Sequence, residues 1–392
     1  MYEDISFESE IINKYERKGE CIVEMTYSVF YPDGAGGQLG DRGTINGTEV
    51  IAVKQDKTGI LQHTVSNGDR LSVGDKVICR INGENRTDIA QQHTAQHLIS
   101  ANFDNDFGIH TVGFHMSETH TTIDLDSQEI NEEMIEKMEK KAFSQITSLL
   151  PVDILEVSPK DIHKYPLRKE LNDKLLGLDK LRLVKIGEID YSLCKGFHCD
   201  NTGNIGVIKI FKIEKVKSGF TRIYYVAGYR AMRDYQMSHK ILKETTDFLS
   251  TSKDELNLRL QNLVNENKTV SKMSKKLSES LAQEMYQNLS VRMMNGKKRI
   301  VKVLPSEESA KGLSKEIMKE PDTIAVFLFE KSKTNGFNII STYDNIDAKE
   351  ILERLKDNIN IKGGGNSKMT LGTVHGSLDK IKEEVEAIVN KY

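Results

Sequence analysis

Two short histidine-containing motifs constrain this chain more than any other feature of its sequence. His93 and His97 lie four residues apart in QHTAQHL, so on a helix both imidazoles leave the same face. Cys194 and His198 share the short, glycine-containing segment CKGFH. Together the motifs supply the four ligands that tetrahedral Zn²⁺ prefers. We therefore expect them to converge on one zinc ion, although a lone histidine pair would more often be a polar helix face.

Composition sets the broad class of the protein. A length of 392 residues favours two or three domains. The four cysteines have no small-domain spacing, which predicts a reducing, cytoplasmic location. No apolar run approaches the length of a membrane span, and we expect no signal peptide and no membrane partner. The net charge of −3 means that any nucleic-acid binding must use local basic patches.

Residues 1–87 are predicted to form a small β-barrel. Short apolar segments are separated by turns at Asn46-Gly47, Asn67-Gly68 and Asn82-Gly83. The loop YPDGAGGQ, residues 31–38, follows one of these strands. Its glycines let the backbone approach a substrate closely, but a surface hairpin would have the same composition. The loop matches neither a Walker nor a dinucleotide fingerprint.

Residues 88–235 are predicted to form the metal-binding domain. A helix is expected to run from Asp88, which can cap it, to Phe103. Alternating residues predict strands over 109–125, and an amphipathic helix is expected over 129–149. Further strands near 152–157 and 181–190 lead into the second metal motif.

Basic residues concentrate after the second motif. They are Lys209, Lys212, Lys215, Lys217, Arg222, Arg230 and Arg233. These residues could form a binding surface for a polyanion or a solvent-exposed strand edge, and charge alone favours neither interpretation. The nucleic-acid contacts predicted here are Lys209, Lys212 and Arg222.

The last part of the chain is predicted to contain a helical coiled-coil linker, residues 236–295, and an α/β domain, residues 296–392. The coiled-coil prediction is based on a heptad repeat of apolar residues, and such a segment would serve as a spacer or as an arm for dimerisation. The heptad positions are Leu249, Leu256, Leu263, Val270 and Leu277. Near the C-terminus, Gly363, Gly364 and Gly365 precede Lys368, a pattern that suits phosphate or nucleotide-backbone binding but also a flexible connection.

Several motifs together resemble a known family. The stretch SVFYPDGAGGQLGDRG, residues 28–43, resembles the Gly-rich loop of alanyl-tRNA editing domains. The stretches HTAQHL, residues 93–98, and CKGFHCDNTGNIG, residues 194–206, resemble their two metal motifs. The tail is similar to the Gly-rich C-terminal domain of alanyl-tRNA synthetases and many phosphoesterases. The resemblance covers nearly the whole chain and corresponds to the long form of the free-standing alanyl-tRNA editing proteins.

This resemblance implies an α+β fold: a β-barrel, an editing domain with a zinc cleft, a long helical arm and a Gly-rich α/β domain. It implies hydrolysis, in trans, of the aminoacyl ester of mischarged tRNA(Ala), with Ser-tRNA(Ala) as the expected substrate and zinc near the scissile ester. Ser28 then stands where the family has threonine and is a candidate partner for a substrate hydroxyl. Gln38 would contact the terminal adenosine or the ester, and Gly36 and Gly37 the nucleic acid. The expected partners are the tRNA(Ala) acceptor end and a second copy of the chain, bound through the arm or the C-terminal domain.

Two alternatives remain at this point. The family's Cys-Gly-Gly-Thr-His is CKGFH here, with bulkier residues between the ligands. Four protein ligands would also close the metal shell, which favours a non-catalytic tRNA-binding module with structural zinc. A deacylase of the threonyl-tRNA editing type is the other alternative, and the long helical arm argues against it.

Overall fold

The computed structural model describes residues 2–392 except 170–174, 176, 217–218, 290–291, 295–296 and 332–333. Lys217 and residues 290, 291 and 295 of the predicted linker lie outside the described residues. The chain has an α+β fold divided into two compact units, Met1–Glu244 and Thr245–Tyr392. Among the described residues, no helix combines the length and apolar composition needed to cross a bilayer.

The elements are numbered in chain order. The strands of the first unit are β1 (Ile5–Arg17), β2 (Glu20–Met25), β3 (Gly43–Ile45), β4 (Thr48–Gln55), β5 (Leu61–Val65), β6 (Lys76–Ile81), β7 (Thr111–Met116), β8 (Thr121–Leu125), β9 (Val152–Val157), β10 (Leu181–Ile186), β11 (Asp190–Leu193), β12 (Ile208–Lys215) and β13 (Thr221–Ala227). Those of the second unit are β14 (Arg292–Met294), β15 (Lys297–Leu304), β16 (Thr323–Glu330), β17 (Asn335–Ser341), β18 (Ile361–Gly365) and β19 (Met369–Val374). The helices are α1 (Gly83–Phe107), α2 (Glu132–Thr147), α3 (Gly228–Leu249), α4 (Leu256–Gln287), α5 (Glu307–Ile317), α6 (Ala348–Lys356) and α7 (Leu378–Val389).

The predicted N-terminal barrel is confirmed. Six antiparallel strands close in the order β1-β2-β5-β4-β3-β6. Strand β6 shows why this sequence forms a barrel: Val77, Cys79 and Ile81 are buried, while the residues between them are exposed. Phe30, from the segment after β2, is also fully buried in the barrel core. The barrel thus anchors the start of the Gly-rich loop.

Helix α1 carries the first metal motif and is longer than predicted. It begins at Asn82, whose side-chain oxygen accepts a hydrogen bond from the N–H of Asn85. The prediction that Asp88 caps this helix is therefore wrong. Asp88 lies inside the helix and pairs with Arg230, with 2.7 Å between Nη2 and Oδ2. A side chain expected to end the helix instead connects it to the first turn of α3.

Helix α1 is buried on nearly every side. It packs in one apolar core with α2, with the sheet β12-β13-β8-β7 and with the sheet β11-β10-β9. Its buried polar side chains bind the backbone of these neighbours: the amide of Gln92 donates to the carbonyl of Ala227 and accepts from its N–H, both at 2.9 Å. Because buried polar groups need such partners, these contacts fix the rotation of α1.

The predicted helical arm is two helices. Helix α3 ends at Leu249, and Ser250 has a left-handed backbone conformation with φ of 49°. Helix α4 begins at Leu256. On α4 the heptad positions Val270 and Leu277 are 65% and 72% exposed. The repeat therefore leaves an apolar seam in solvent on the single chain.

The second unit contains a mixed six-stranded sheet in the order β14-β15-β16-β17-β19-β18. Strands β15 and β16 are parallel, and the other neighbours are antiparallel. The segment Gly363–Gly365 forms the end of edge strand β18. A Cβ at Gly365 would lie 2.1 Å from the carbonyl oxygen of Met369, whereas a Cβ at Gly364 would have no atom within 4 Å. Close approach to β19 therefore requires glycine at position 365 but not at 364.

The Gly365→Ala variant should destabilise the β18–β19 pair by about 1–3 kcal/mol, because the added methyl forces the strands apart. Gly364→Ala is the matched control, and it should be neutral or stabilising because glycine within a strand costs about 0.5–1 kcal/mol relative to alanine. Hydrogen exchange of peptides covering the two strands measures this local stability. Equal protection in the two variants would contradict the assignment.

Candidate metal centre

The fold brings the two metal motifs together. One ligand atom from each of His93, His97, Cys194 and His198 lies within 4.8 Å of all the others. The two histidines of α1 project from one face, and the turn after β11 supplies the cysteine and the third histidine. All three histidines are buried. These four side chains could hold a metal ion.

The separations of the ligand atoms suit a small tetrahedral site. The Sγ of Cys194 lies 3.4 Å from the Nε2 of His93 and 3.4 Å from the Nε2 of His198. Zn²⁺ binds imidazole nitrogen at about 2.0–2.1 Å and thiolate sulfur at about 2.3 Å, which places tetrahedral N and S ligands about 3.5 Å apart. The donor set and its spacing therefore fit zinc.

Each ligand histidine has a partner for its Nδ1 atom. The Nδ1 of His93 lies 2.9 Å from the Oε1 of Gln38, and that of His97 lies 2.7 Å from the Oδ2 of Asp190. The Nδ1 of His198 lies 3.3 Å from the Oγ1 of Thr94, which also accepts the N–H of Cys199. Because the Nδ1 atom of each ring already has an oxygen partner, Nε2 is the nitrogen that faces the common centre and would bind a metal.

Electrostatics favour the thiolate form of Cys194, which is the form that binds metal. Burial alone would raise the pKa of this thiol, but hydrogen bonds from His198, His93 and His97 lower it strongly. Burial likewise opposes the charged form of His97, yet the hydrogen bond to Asp190 raises its pKa to about 9. Burial lowers the pKa of His198 to about 3, which keeps this ring neutral. The neighbouring Cys199 differs, because burial raises the pKa of its thiol to about 11.

The structure shows where the bulky residue between Cys194 and His198 is accommodated. Phe197 turns away from the cluster and packs on Tyr2, Tyr31 and Arg86. Its ring centroid is 5.6 Å from that of Tyr2 and 4.9 Å from that of Tyr31, and the Arg86 guanidinium lies 4.7 Å above the ring. The side chain thus docks the turn on Tyr2, Tyr31 and the start of α1, and not on the His/Cys cluster.

Gly196, in contrast, admits no side chain. A Cβ there would lie 2.2 Å from the Cε1 of His93 and 2.4 Å from the Oε1 of Gln38. The turn therefore passes directly over the His93–Gln38 hydrogen bond. A Cβ at Gly36 of the Gly-rich loop would in turn lie 3.4 Å from the backbone nitrogen of Gly196. At Gly36 the backbone of the loop therefore comes close to the backbone of the ligand turn.

A cleft with a volume of about 380 Å³ opens beside the cluster. Its lining includes the ligands His93, His97 and Cys194 together with Gly36. The other lining residues are Gln96, Thr111, Val112, Gly113, Phe114, Arg168, Lys169, Leu175, Ser192 and Leu193. The cleft therefore gives a substrate direct access to the candidate metal centre.

The two predicted catalytic residues have different surroundings. Gln38 is buried, and its Oε1 accepts hydrogen bonds from both His93 and the N–H of Phe197, so this side chain positions a ligand. Ser28 lies at the start of the segment that leads to Gly36, with its Oγ 2.8 Å from the Nε2 of His63. Neither of these two side chains is among the residues that line the cleft.

The state of His63 determines what Ser28 can offer. Burial lowers the pKa of His63 to about 4, so the ring is neutral. Its Nδ1 donates to the carbonyl of Val23 at 3.1 Å, which leaves Nε2 as an acceptor. Ser28 must then donate its hydroxyl proton to His63, and its oxygen remains available as an acceptor. No sequence signal pointed to this arrangement, because His63 lies on β5 and not within either motif.

The predicted nucleic-acid contacts fall at several places. Lys209 pairs with Glu139 at 2.9 Å, Lys212 with Glu214 at 2.8 Å, and Arg222 with Asp124 at 2.6 Å. These acidic partners neutralise much of the basic strip. At the remaining predicted positions, Gly36 lines the cleft, and a Cβ at Gly37 would lie 2.9 Å from the Cδ1 of Phe114. Gly363, Gly364 and Gly365 lie in edge strand β18, and Lys368 lies in the turn before β19.

Replacing Gly196 by alanine should lower the affinity for a divalent metal by about 10- to 100-fold, the cost expected when the support of a ligand is displaced. The methyl group would push His93 from its place. Lys195→Ala is the matched control, because it changes an exposed side chain in the same turn and should bind metal as the parent does. Titration of zinc against a competing chelator measures both, and equal affinities would refute the role of Gly196.

Comparisons with known proteins find relatives of the segment that holds Cys194 and His198 and of nearly the whole chain. The family described as "Threonyl and Alanyl tRNA synthetase second additional domain" matches residues 181–224, which include Cys194 and His198. An alanine–tRNA ligase of Saccharolobus islandicus is 30% identical over 401 residues, covering 98% of this chain and 43% of the ligase. That of Methanococcus aeolicus is 26% identical over 393 residues, covering 95% and 42%.

The chain thus spans less than half the length of these relatives. Among solved structures, the C-Ala domain of Aquifex aeolicus alanyl-tRNA synthetase matches 26% of this chain and 99% of its own, with 14% identity and a TM-score of 0.23, a score too low to support an argument about structure. Over nearly its whole length, the chain is homologous to alanine–tRNA ligases.

Proposed function

We propose that this protein hydrolyses the aminoacyl ester of mischarged tRNA(Ala), with Ser-tRNA(Ala) as substrate and zinc in the metal centre. The observation that carries the proposal is the buried His/Cys cluster at the wall of an open cleft. Homology to alanine–tRNA ligases supports tRNA as the partner and alanyl over threonyl editing. The chain would act in trans, on the acceptor end of a tRNA charged elsewhere.

Zinc in such a site supplies Lewis acidity toward a carbonyl oxygen or lowers the pKa of a water. The residues of the chain would then position the ester. Phe114 and Gly36 form the cleft wall on the side of His93, and Arg168 and Lys169 form a cationic wall. Arg168 is paired with Asp190, so Lys169 is the residue of this wall that suits the negatively charged terminal phosphates of tRNA. The ester between sugar and amino acid would lie toward His93, His97 and Cys194.

Selectivity for serine needs a group that recognises its hydroxyl. A pocket built for alanine rejects an added hydroxyl by only about 10²-fold, whereas a site that hydrogen-bonds the hydroxyl discriminates far more strongly. Ser28 has the chemistry for this role, because its oxygen can accept a hydrogen bond while its proton is donated to His63. We assign Ser28 as the acceptor for the substrate hydroxyl and Gln38 as a residue that positions His93.

The remaining contacts and the assembly belong to the same proposal. Gly36, Gly37, Lys209, Lys212 and Arg222 would contact the acceptor end from the first unit, and Gly363–Gly365 with Lys368 would contact nucleic acid from the second. The exposed seam of Val270 and Leu277 would pair two chains into a homodimer.

One observation favours a second candidate, a non-catalytic tRNA-binding module with structural zinc. All four protein ligands are within reach of one centre, and such a complete shell is typical of structural zinc sites. The two functions differ in one measurement: release of serine from Ser-tRNA(Ala) by the purified full chain. A structural module would bind the tRNA and leave the ester intact.

Removing His97 and Cys194 together, as His97→Ala with Cys194→Ser, should abolish both zinc content and serine release. Treatment of the parent protein with a chelator should have the same effect, reversed by added zinc. Cys199→Ser is the matched control, since this buried thiol lies next to His198 but outside the cluster. Retention of zinc and activity by the double variant would eliminate the proposal.

Replacing Ser28 by valine should reduce hydrolysis of Ser-tRNA(Ala) while leaving Ala-tRNA(Ala) little changed, so that the ratio of the two rates falls toward one. Ser28→Thr keeps the hydroxyl, so its ratio of the Ser-tRNA(Ala) rate to the Ala-tRNA(Ala) rate should stay close to that of the parent. Both rates are measured on the same tRNA transcript. A ratio in the valine variant equal to that of the parent would show that Ser28 does not select the substrate.

A further inference from the structure

Asp190 occupies an unusual position behind the metal centre. It is the first residue of β11, and its side chain is fully buried. Its two oxygens accept different groups: Oδ2 accepts from the Nδ1 of His97 at 2.7 Å, and Oδ1 accepts from the Nε of Arg168 at 2.7 Å and from Ser192 at 2.9 Å. Of the three groups that hold the Nδ1 atoms of the ligand histidines, Asp190 alone is a carboxylate.

Arg168 reaches this carboxylate from the segment between β9 and β10. Its side chain is 10% exposed, and its Nη2 donates to the Oγ of Ser192 at 3.0 Å. Its backbone N–H donates to the carbonyl of Tyr191 at 3.0 Å. The arginine is therefore attached to β11 through both its main chain and its side chain.

The same segment forms one wall of the cleft. Arg168, Lys169 and Leu175 all line it, as do residues of β7. Below the wall, Tyr165 and Leu167 pack on an apolar cluster that includes Leu183 and Tyr191. The attachment of this wall to β11 and the orientation of His97 thus share a single carboxylate.

We propose that Asp190 and Arg168 act as a positioning pair: Asp190 holds His97 with its Nε2 toward the metal, and Arg168 uses the same carboxylate to hold the cleft wall. This inference rests on the proposed function. It adds two residues that lie outside both metal motifs and assigns them separable effects, one on metal binding and one on substrate binding.

The effects separate because the two partners use different oxygens. In the Asp190→Asn variant, the new side-chain amide must turn its NH₂ toward either His97 or Arg168, both of which are donors, so one hydrogen bond is lost. Replacement of Arg168 by methionine removes the side-chain attachment of the wall, keeps the main-chain bond to Tyr191, and leaves the Asp190–His97 contact. In either orientation the carboxylate charge behind His97 is lost, so Asp190→Asn affects the metal, whereas Arg168→Met affects the wall and leaves that charge in place.

The test uses the full chain with zinc and with Ser-tRNA(Ala). Asp190→Asn should lower zinc affinity by about 10- to 100-fold, the loss expected when a carboxylate partner of a ligating histidine is removed. It should also change the visible spectrum of the cobalt-loaded protein, which reports ligand geometry. Arg168→Met should lose less zinc affinity and raise KM for Ser-tRNA(Ala) more than it lowers kcat. Arg168→Lys, which retains the charge, should have a KM between those of the parent and Arg168→Met.

Val184→Ala is the control for a merely structural role. Val184 is buried and lies opposite Ser192 in the β10–β11 pair, so the variant loosens the same strands without touching the positioning pair. It should bind zinc as the parent does. An equal loss of zinc affinity in Val184→Ala and Asp190→Asn would overturn the proposal, as would unchanged affinity in Asp190→Asn.

Failure of the proposed function gives a different result. A parent chain that binds zinc but releases no serine refutes the deacylase activity, while the zinc affinities and cobalt spectra of the variants still decide the role of Asp190. A parent chain that binds no zinc overturns both proposals.

Discussion

The structure depends on burying three imidazoles and a thiolate at one point. Removing polar groups from water costs several kcal/mol each unless they find partners. Here every ligand histidine uses Nδ1 for a hydrogen bond, and the Nε2 atoms of His93 and His198 contact the thiolate of Cys194. Much of the first unit can be understood as the scaffold that supplies these partners. The barrel provides Gln38, β11 provides Asp190, and α1 itself provides Thr94.

Helix α1, which is buried on nearly all sides, holds two of these histidines in place. Surface helices need one apolar face, but α1 is surrounded by two sheets and by α2. Its buried polar residues are therefore connectors, as the Gln92 amide shows by pairing with both backbone groups of Ala227. The rotation of α1, and with it the direction in which His93 and His97 point, follows from these connections.

Two glycines and one phenylalanine determine how the ligand turn meets the barrel. Gly36 and Gly196 allow backbone to approach backbone, and Phe197 fills the space between Tyr2, Tyr31 and Arg86. Phe197, the bulky residue by which this turn differs from the family motif, thus packs on the outer side of the turn and stabilises it. By contrast, ion pairs offset the predicted basic strip, so recognition of a polyanion would depend on the groups within the cleft.

The sequence alone predicted the barrel and the four side chains of the His/Cys cluster, because strand alternation, turn residues and the spacing within each motif are local properties, and the family resemblance supplied the α+β class. Predictions for single residues were wrong where a residue far away in the chain binds the side chain that was expected to act locally. Asp88 looks like a helix cap but pairs with Arg230, and α1 starts earlier, at Asn82. Gln38, His63, Arg168 and Asp190 act on residues far away in the chain, and no spacing rule connects them. Only the tertiary structure, by desolvating these groups, decided which atoms had to become hydrogen-bond partners.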